Sequence, residues 1–549
     1  MSTPAEAVAG QDGEERRDRS SPRFLVWLIA GVAVVTAAIH LYYNSIGLIS
    51  ELRFAAMHFG LFGLMCALLH PLRKGRARGP LLLAVDVVLG VAALFCGIYF
   101  LFGEAGYWQR GGHMSGLDWY VALGSILLAL EFLRRTMGIA IPILIVAALS
   151  YAAFWGQHIS GVFRFPGISF EELLARAYFV DLGLFGDIAQ ISMSYVFMFV
   201  LFGSFLVKSG ASEFIIDLSR ALARRAIGGA GIVAVLGSAM MGSISGAAVA
   251  NIVTTGVVTI PLMKRSGYRA TFAAAVETAA STGGPLLPPI MGAGAFVMAS
   301  YTQISYLTIA AVALLPALLY FISVVYLIRM EALKQGLTEF EDEDARPVLQ
   351  VLREGGLTLA PVAVLVFLLM MGYTATYAAA GSILATIVFS WLTPRKMGPA
   401  LILEAVIDGV KNATPTAVLL VSIGLLVGVL GTTGFGPTFS LMIIEWSGGN
   451  LIFMLLLITL VSLVLGMGLP VTAAYIVLAT ISAPSLADLI TTNNLVEVLT
   501  SGEVPETVTM MLSLVDPDIA AKIAAAGFAR VKYENLTAGV AAIHSGWRV

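Results

Sequence analysis

Apolar stretches of membrane-spanning length recur along the chain, separated by short polar or charged segments. They lie near residues 24–43, 54–70, 80–102, 117–132, 138–156 and 191–207, and again near 304–328, 357–373, 375–392 and 413–431. A hydrocarbon layer of about 30 Å takes about 20 helical residues, so each run predicts a spanning or nearly spanning helix. Two further apolar regions, 230–300 and 450–486, are interrupted by Gly, Ser, Thr and Pro. Residues 1–22 are polar and charged and predict a disordered N-terminal segment. The first apolar run lacks a short core followed by a small-residue cleavage site, so it reads as a retained helix and not a removed signal.

Basic residues fall in alternate connections. Arg16, Arg17, Arg19 and Arg23 precede the first run, and Arg73, Lys74, Arg76 and Arg78 follow the second. Arg134 and Arg135 follow the fourth run, and Lys208, Arg220, Arg224 and Arg225 the sixth. This alternation predicts a cytoplasmic N-terminus. It also places the acidic loop Glu339–Asp344 on the cytoplasmic side, as a solvated linker between two halves. The halves read as repeats: Gly210 and Gly434 are 224 positions apart, and so are Gly242 and Gly466. Ala211–Arg225 and Pro437–Trp446 have the apolar spacing of surface-lying helices. The first is rich in arginine and the second has no Lys or Arg, so one repeat is expected to be upside down relative to the other. Inverted repeats with broken helices are the pattern of a secondary transporter.

Composition sharpens this picture. The 549-residue chain is 58% hydrophobic and 12% charged, with net charge −2. A soluble domain carries about 25% charged residues, so a polytopic all-α membrane protein is expected. No basic footprint for nucleic acid is present. No Gly-Lys dipeptide occurs, which excludes a Walker A loop and predicts no ATP hydrolysis by this chain. The six histidines form no zincin motif, and GSISG (Gly242–Gly246) has Ile244 where a nucleophile elbow needs serine. Cys66 and Cys96 lie in apolar runs and read as apolar packers. No enzyme, cofactor or transition-metal site is expected.

Three interrupted segments could carry chemistry. GSISGAAVAN (Gly242–Asn251) predicts a re-entrant hairpin whose unwound turn frees carbonyls, with Ser243 and Ser245 adding hydroxyls; such oxygens suit a hard cation such as sodium. Close helix packing through small residues explains the same pattern. ETAASTGGPLLPPI (Glu277–Ile290) is dense in helix breakers, so either a true break or a proline kink follows. GMGLPVTAAY (Gly466–Tyr475) sits at the repeat offset of the first segment. Among intramembrane acids Glu277, one turn before Ser281 and Thr282, is the leading candidate for a coupling site. Asp86 is either a satisfied internal contact or faces a neighbouring subunit. Glu131 reads as an interfacial ion pair with Arg134 and Arg135. Asp408 and Asn412 read as a solvated helix face, with a cavity-facing role as the alternative.

At these segments the sequence resembles the fused membrane subunit of TRAP transporters (tripartite ATP-independent periplasmic transporters), in particular the TAXI-type branch. The match rests on GSISGAAVAN, TIPLMKRSGY (Thr259–Tyr268), ETAASTGGPLLPPIMGAGAFVMAS (Glu277–Ser300) and GMGLPVTAAY, and on Glu51–Leu72 for the N-terminal part. The resemblance implies an elevator-type carrier with DctM-like large-subunit and small-subunit-like parts. Residues 1–22 would be the cytoplasmic N-terminus, 23–136 a four-helix scaffold, 137–330 transport repeat 1, 331–355 the linker, 356–486 repeat 2 and 487–549 a divergent or truncated C-terminal region. It implies residence in a bacterial inner membrane, coupling to Na+, an organic acid such as a C4-dicarboxylate as substrate, and a periplasmic solute-binding protein as partner, with no ATPase subunit. Carried over by position, one cation site would use Ser243, Ser245, Gly246, Thr282, Gly283 and Gly284, and a second Gly466, Gly468 and Thr472. Substrate would contact Ser281, Pro288, Pro289, Asn251 and Pro470.

Two departures stand out. Many relatives have Gln where this chain has Pro285. At the repeat-two offset of STGGPLLPP the chain reads Pro505–Ser513, and its nearest echo, Val515–Gly527, brings in Asp516, Asp518 and Lys522 where the family is apolar. The rival expectations are a proton-coupled carrier using Glu277, and a non-transporting scaffold derived from a permease.

Overall fold

The computed structural model describes residues 23–47, 49–73, 79–337, 346–448, 450–468, 470–491, 528–536 and 541–548. Segment 1–22, the acidic loop Glu339–Asp344, Pro505–Ser513 and Val515–Gly527 lie outside the described residues. In chain order the helices are α1 (Arg23–Ser45), α2 (Glu51–Leu69), α3 (Pro80–Gln109), α4 (Leu117–Met137), α5 (Ala140–Ser150), α6 (Phe170–Tyr178), α7 (Asp187–Ile191) and α8 (Phe197–Lys208). They continue as α9 (Ala211–Ala223), α10 (Gly229–Ser245), α11 (Ala248–Arg265), α12 (Ala270–Gly283), α13 (Ala293–Thr302) and α14 (Tyr306–Lys334). The last are α15 (Val348–Gly355), α16 (Ala360–Met370), α17 (Ala375–Ser390), α18 (Pro399–Thr433), α19 (Phe435–Ser447), α20 (Leu451–Gly468) and α21 (Val471–Thr491).

Among the described residues, eight helical spans have the length and apolarity to cross a membrane. Single π-helical turns, Tyr151–Trp155 and Ser192–Val196, prolong α5 and precede α8. The protein is an all-α membrane fold through α21. Beyond it, β1 (Phe528–Leu536) and β2 (Ala541–Arg548) form an antiparallel pair with Phe528 opposite Arg548.

The repeat is visible in the elements. Gly210 (φ 102°) and Gly434 (φ 65°) both adopt the left-handed conformation that starts a new helix, and α9 maps onto α19 at the 224-residue offset. The hairpin of α10 and α11 breaks at 246–247, and in its counterpart α20 ends at Gly468 and α21 starts at Val471. One element exceeds its sequence signal. The run at 413–431 is the C-terminal half of the 35-residue α18, whose polar N-terminal half carries Asp408. Lys208 explains how that half is held, pairing with Asp408 at 2.8 Å and Glu404 at 3.2 Å, whereas Asn412 is exposed.

Cα proximity divides the chain into two units. The first contains α1, Ser194–Ala295 and Ile309–Ala413. Its core is made of small side chains, Ala230, Ala234, Ala239, Ala273 and Ala280, closed by Tyr268, Phe321 and Ile328. Small residues let helix backbones approach where lipid supplies no hydrophobic drive. Amphipathic α9 buries Phe214 and Ile215, and its polar side is tied down by Arg395 to Glu213 and by Arg346 to Asp217.

The second unit contains Ile49–Met193, Phe296–Thr308 and the chain from Thr414 onward. Here α2 and α3 pack through glycines; a Cβ on Gly97 would sit 2.4 Å from the Ala56 carbonyl oxygen. Cys66 and Cys96 are buried free thiols among these contacts, and Tyr178 donates to the Cys96 carbonyl at 2.6 Å. The tightest approach is on α18, where a Cβ on Gly428 would lie 1.6 Å from the Leu182 carbonyl oxygen. The backbones must therefore part to admit even one methyl group. Gly428→Ala is expected to destabilise the detergent-purified protein by about 3 kcal/mol, the upper range for overpacking. Gly431→Ala, three residues on, meets nothing within 4 Å and is expected to be nearly neutral in the same thermal melt. Equal melting temperatures for the two variants would show that this approach does not stabilise the fold.

Candidate functional site

The site is built from two helix breaks in the first unit. Helix α10 ends because Gly246 turns left-handed (φ 64°) and donates its N–H to the Gly242 carbonyl at 2.9 Å. Ala247 is extended, and α11 starts at Ala248 and packs back along α10. Helix α12 ends at Gly283. A tight turn follows over Gly284–Leu286, Leu287 is extended, and the Gly292 N–H closes the loop on the Pro285 carbonyl at 2.8 Å before α13 begins. Prolines 285, 288 and 289 lack the N–H groups a continuing helix would need.

The two breaks lie against each other. A Cβ on Gly242 would stand 2.6 Å from the Gly284 Cα, and one on Gly284 would stand 2.5 Å from the Gly242 Cα. A Cβ on Gly246 would stand 2.7 Å from the Met291 carbonyl oxygen. The C-terminal turns of α10 and α12 therefore converge at the Gly242–Gly284 contact. The starts of α11 and α13 follow at the Gly246–Gly292 contact. Helix C-termini carry partial negative charge and favour cations, and N-termini favour anions.

Side-chain oxygens on the last turn of α10 and the first turn of α11 lack protein partners. Ser243 Oγ, Ser245 Oγ and Asn251 Oδ1 are buried with no hydrogen-bond partner in the protein. Ser243 is 3% exposed and Asn251 1%. An orphaned buried acceptor costs about 1–3 kcal/mol, so three on one helical hairpin are a physical signal. The Asn251 amide is fixed from its other end: Nδ2 donates to the Ser238 carbonyl at 2.7 Å and to Ser281 Oγ at 3.2 Å. It lies over the glycine contact, because a Cβ on Gly242 would meet Nδ2 at 2.9 Å. Neutral oxygens of this kind are the ligand type that suits a hard cation.

Glu277 sits behind this cluster, fully buried. Its Oε1 accepts from Ser238 Oγ at 2.8 Å, from Ser281 Oγ at 3.1 Å and from Thr255 Oγ1. Its Oε2 accepts from Thr259 Oγ1. All four donors are hydroxyls, and they join α10, α11 and α12 around one carboxyl group.

The structure thus brings together Gly284, Asn251, Ser281 and Glu277, with Gly246 beside Gly292, while Ser243 and Ser245, two positions apart on the last turn of α10, face different sides of that helix. It turns Thr282 and Gly283 away. Thr282 is exposed and donates to the Thr278 carbonyl at 2.7 Å, and a Cβ on Gly283 would meet the Tyr320 ring at 2.3 Å. Helix α12 continues through both residues, so their direction follows the helical phase and not the break. Pro288 and Pro289 line the loop and are half-buried. In the second unit Gly466 and Gly468 end α20, the Pro470 carbonyl accepts the Ala474 N–H at 2.9 Å at the start of α21, and Thr472 is half-buried. The repeat-two counterpart of the α12 break falls at 505–513, outside the described residues.

Ser238, Thr255 and Thr259 did not emerge from the sequence analysis. The signal was present: Asn251, Thr255 and Thr259 recur every fourth residue and so stripe one face of α11.

Comparison with known proteins agrees with this architecture. Residues 125–542 match the family described as "Tripartite ATP-independent periplasmic transporter, DctM component". A putative TRAP transporter large permease protein of Haemophilus influenzae is 26% identical over 296 residues, 54% of this chain and 69% of that protein. The sialic acid TRAP transporter large permease protein of Vibrio cholerae is 27% identical over 259 residues, 46% of this chain and 57% of its own. The C4-dicarboxylate TRAP transporter large permease protein of Rhodobacter capsulatus is 32% identical over 110 residues, 20% of this chain and 25% of its own. With more than half of its length matched, this polytopic chain belongs to the DctM family of TRAP transporters, as a membrane transporter component and not an enzyme.

Proposed function

We propose that the chain is the permease of a binding-protein-dependent importer that moves an organic acid across the bacterial inner membrane, driven by a Na+ gradient. The observation that supports this most directly is that Ser243 Oγ, Ser245 Oγ and Asn251 Oδ1 are buried without protein partners on the two arms of the first hairpin, beside the Gly242–Gly284 contact of the two breaks. In this mechanism a sodium ion takes oxygens from this set and the free carbonyls of the first break. The α11 and α13 N-termini then face a carboxylate, whose burial is offset by the cation beside it. The names of the relatives favour a carboxylate cargo, since sialic acid and C4-dicarboxylates are both organic acids. A periplasmic solute-binding protein would deliver it. The chain would follow the TAXI pattern, with residues 23–136 as a fused small-subunit-like scaffold, repeats at 137–330 and 356–486, and a cytoplasmic N-terminus. Gly466, Gly468, Pro470 and Thr472 would serve the second hairpin. A proton-coupled carrier is the second reading, favoured by a buried carboxyl group, Glu277, whose partners are all hydroxyls.

The test needs no knowledge of the substrate. The detergent-purified protein is melted in sodium chloride and in choline chloride at equal ionic strength. A ligand at a hundredfold its Kd stabilises the native state by about 2.7 kcal/mol. A sodium-specific rise in Tm is expected, and Asn251→Ala or Ser245→Ala should move its midpoint to higher sodium. Identical melts in the two salts at every concentration would end the sodium proposal.

A further inference from the structure

We infer that Glu277 is a positioning residue for the cation site, acting through Ser281 on the amide of Asn251. The inference rests on the sodium reading of that site and assigns Glu277 a role other than proton carriage. The Asn251 amide can present either of its ends to an ion. A cation requires the carbonyl oxygen, so the NH2 end must be committed elsewhere; it stands at Gly242 and leaves Oδ1 buried without a protein partner. Two acceptors hold it: the Ser238 carbonyl and Ser281 Oγ. A serine hydroxyl accepts reliably only when its own proton is engaged elsewhere, and Ser281 commits that proton to Glu277 Oε1. Ser238 commits its hydroxyl to the same oxygen, which holds α10 against α12 at the residue whose carbonyl also takes the amide. The direction of every proton in the chain from Glu277 to Asn251 is therefore set by one acceptor atom, Oε1. Among the described residues Oε2 is engaged only by Thr259, about two helical turns along α11 from Asn251.

This asymmetry separates positioning from proton carriage. In Glu277→Gln the amide oxygen can replace Oε1, so Ser281 keeps its acceptor. The new NH2 then faces Thr259 Oγ1, which can turn its own proton to the Thr255 carbonyl, 3.0 Å away. The orientation of Asn251 survives. Glu277→Ala removes the acceptor, and Ser281→Ala removes the relay while leaving the carboxyl group and its other donors in place.

The experiment titrates the full chain with sodium against choline and reads the midpoint of the thermal shift, at several pH values. Loss of a partner that orients a ligand typically weakens ion affinity about 10–100-fold, so Glu277→Ala and Ser281→Ala are expected to move the midpoint at least tenfold upward. Glu277→Gln and Thr259→Val are expected to stay within about threefold of wild type, with the wild-type pH profile, whatever they do to the sodium-free Tm. Four results would overturn the inference. An unmoved midpoint in Ser281→Ala would remove the relay. A shift in Thr259→Val equal to that in Ser281→Ala would reduce the network to general stabilisation. A Glu277→Gln variant whose sodium response and pH profile are both lost would make Glu277 a proton carrier. A wild-type protein indifferent to sodium would sink the functional reading and this inference together, whereas the first three results leave the sodium site standing.

Discussion

Gly242→Val is expected to abolish the sodium-specific thermal shift, while Gly294→Ala, in the same glycine-rich region, leaves it intact. The Cβ of a residue at 242 would lie 2.6 Å from the Gly284 Cα and 2.9 Å from Asn251 Nδ2. Carbon atoms rest at about 3.5–4.0 Å, so the two backbones would have to separate by about 1 Å, and the β-branch of valine adds to this. That separation moves α12 away from α10 and pulls Ser281 from Asn251. Overpacking of this kind costs about 1–3 kcal/mol in stability, but the oxygens of a cation site must hold position within a few tenths of an ångström, so the effect on binding is the larger one. A fall in sodium affinity of at least about a hundredfold, or about 2.7 kcal/mol, is expected, which takes the shift out of the accessible range. A Cβ on Gly294 meets nothing within 4 Å, and α13 already runs through it. Gly294→Ala should therefore raise the Tm slightly, by about 0.4–1 kcal/mol through the unfolded chain, at an unchanged sodium midpoint. Matched sodium responses in the two variants would show that the Gly242–Gly284 contact is not part of the ion site.

The contrast between those glycines marks how far the sequence could be read. The spacing of apolar runs was enough for eight of the ten expected spans, because membrane thickness fixes their length locally; the runs at 117–132 and 375–392 became α4 and α17, helices outside those eight. The density of Gly and Pro at 242–246 and 283–289 was enough for the breaks, because those residues act on their own backbone. The 224-residue offset carried through to the element boundaries of α9 and α19. What failed to show was anything set by contact. Ser243 and Thr282 look equivalent on paper, each a hydroxyl beside a glycine break. Only the helical phase of α12 turns Thr282 outward while Ser243 stays buried at the tip of α10. The Ser238, Thr255 and Thr259 hydroxyls were passed over because each, alone, is an ordinary helix-packing residue. The polar half of α18 was split from its apolar half because Lys208, the partner of Asp408, lies 200 positions away in sequence.

Arg135→Ala is expected to be the most destabilising single side-chain truncation in the second unit, and pairing it with Asp86→Leu should recover most of the loss. Asp86 and Arg135 are 49 residues apart in sequence, and both side chains are buried. Arg135 Nη1 donates to Asp86 Oδ1 at 2.7 Å and to the His70 carbonyl at 3.0 Å, and Nε donates to Glu131 Oε1 at 2.8 Å. One guanidinium thus ties α3, α4 and the end of α2 together, and Asp86 is its buried internal ion-pair partner. Removing Arg135 takes a close cation from buried Asp86, whereas Glu131 keeps Arg134 at 2.8 Å and loses less. Breaking a buried pair from one side costs about 3–5 kcal/mol, because the remaining charge stays desolvated. Replacing both partners by apolar groups is often close to neutral, since the pair's attraction does little more than offset its own desolvation. Thermal melts of Arg135→Ala, Asp86→Leu and Arg135→Met with Asp86→Leu should therefore rank the double variant above Arg135→Ala. If the double variant is the least stable of the three, the ion pair contributes net stability and the desolvation argument is wrong. If it ranks near wild type, Asp86 and Arg135 serve to register α3 against α4 more than to strengthen their contact.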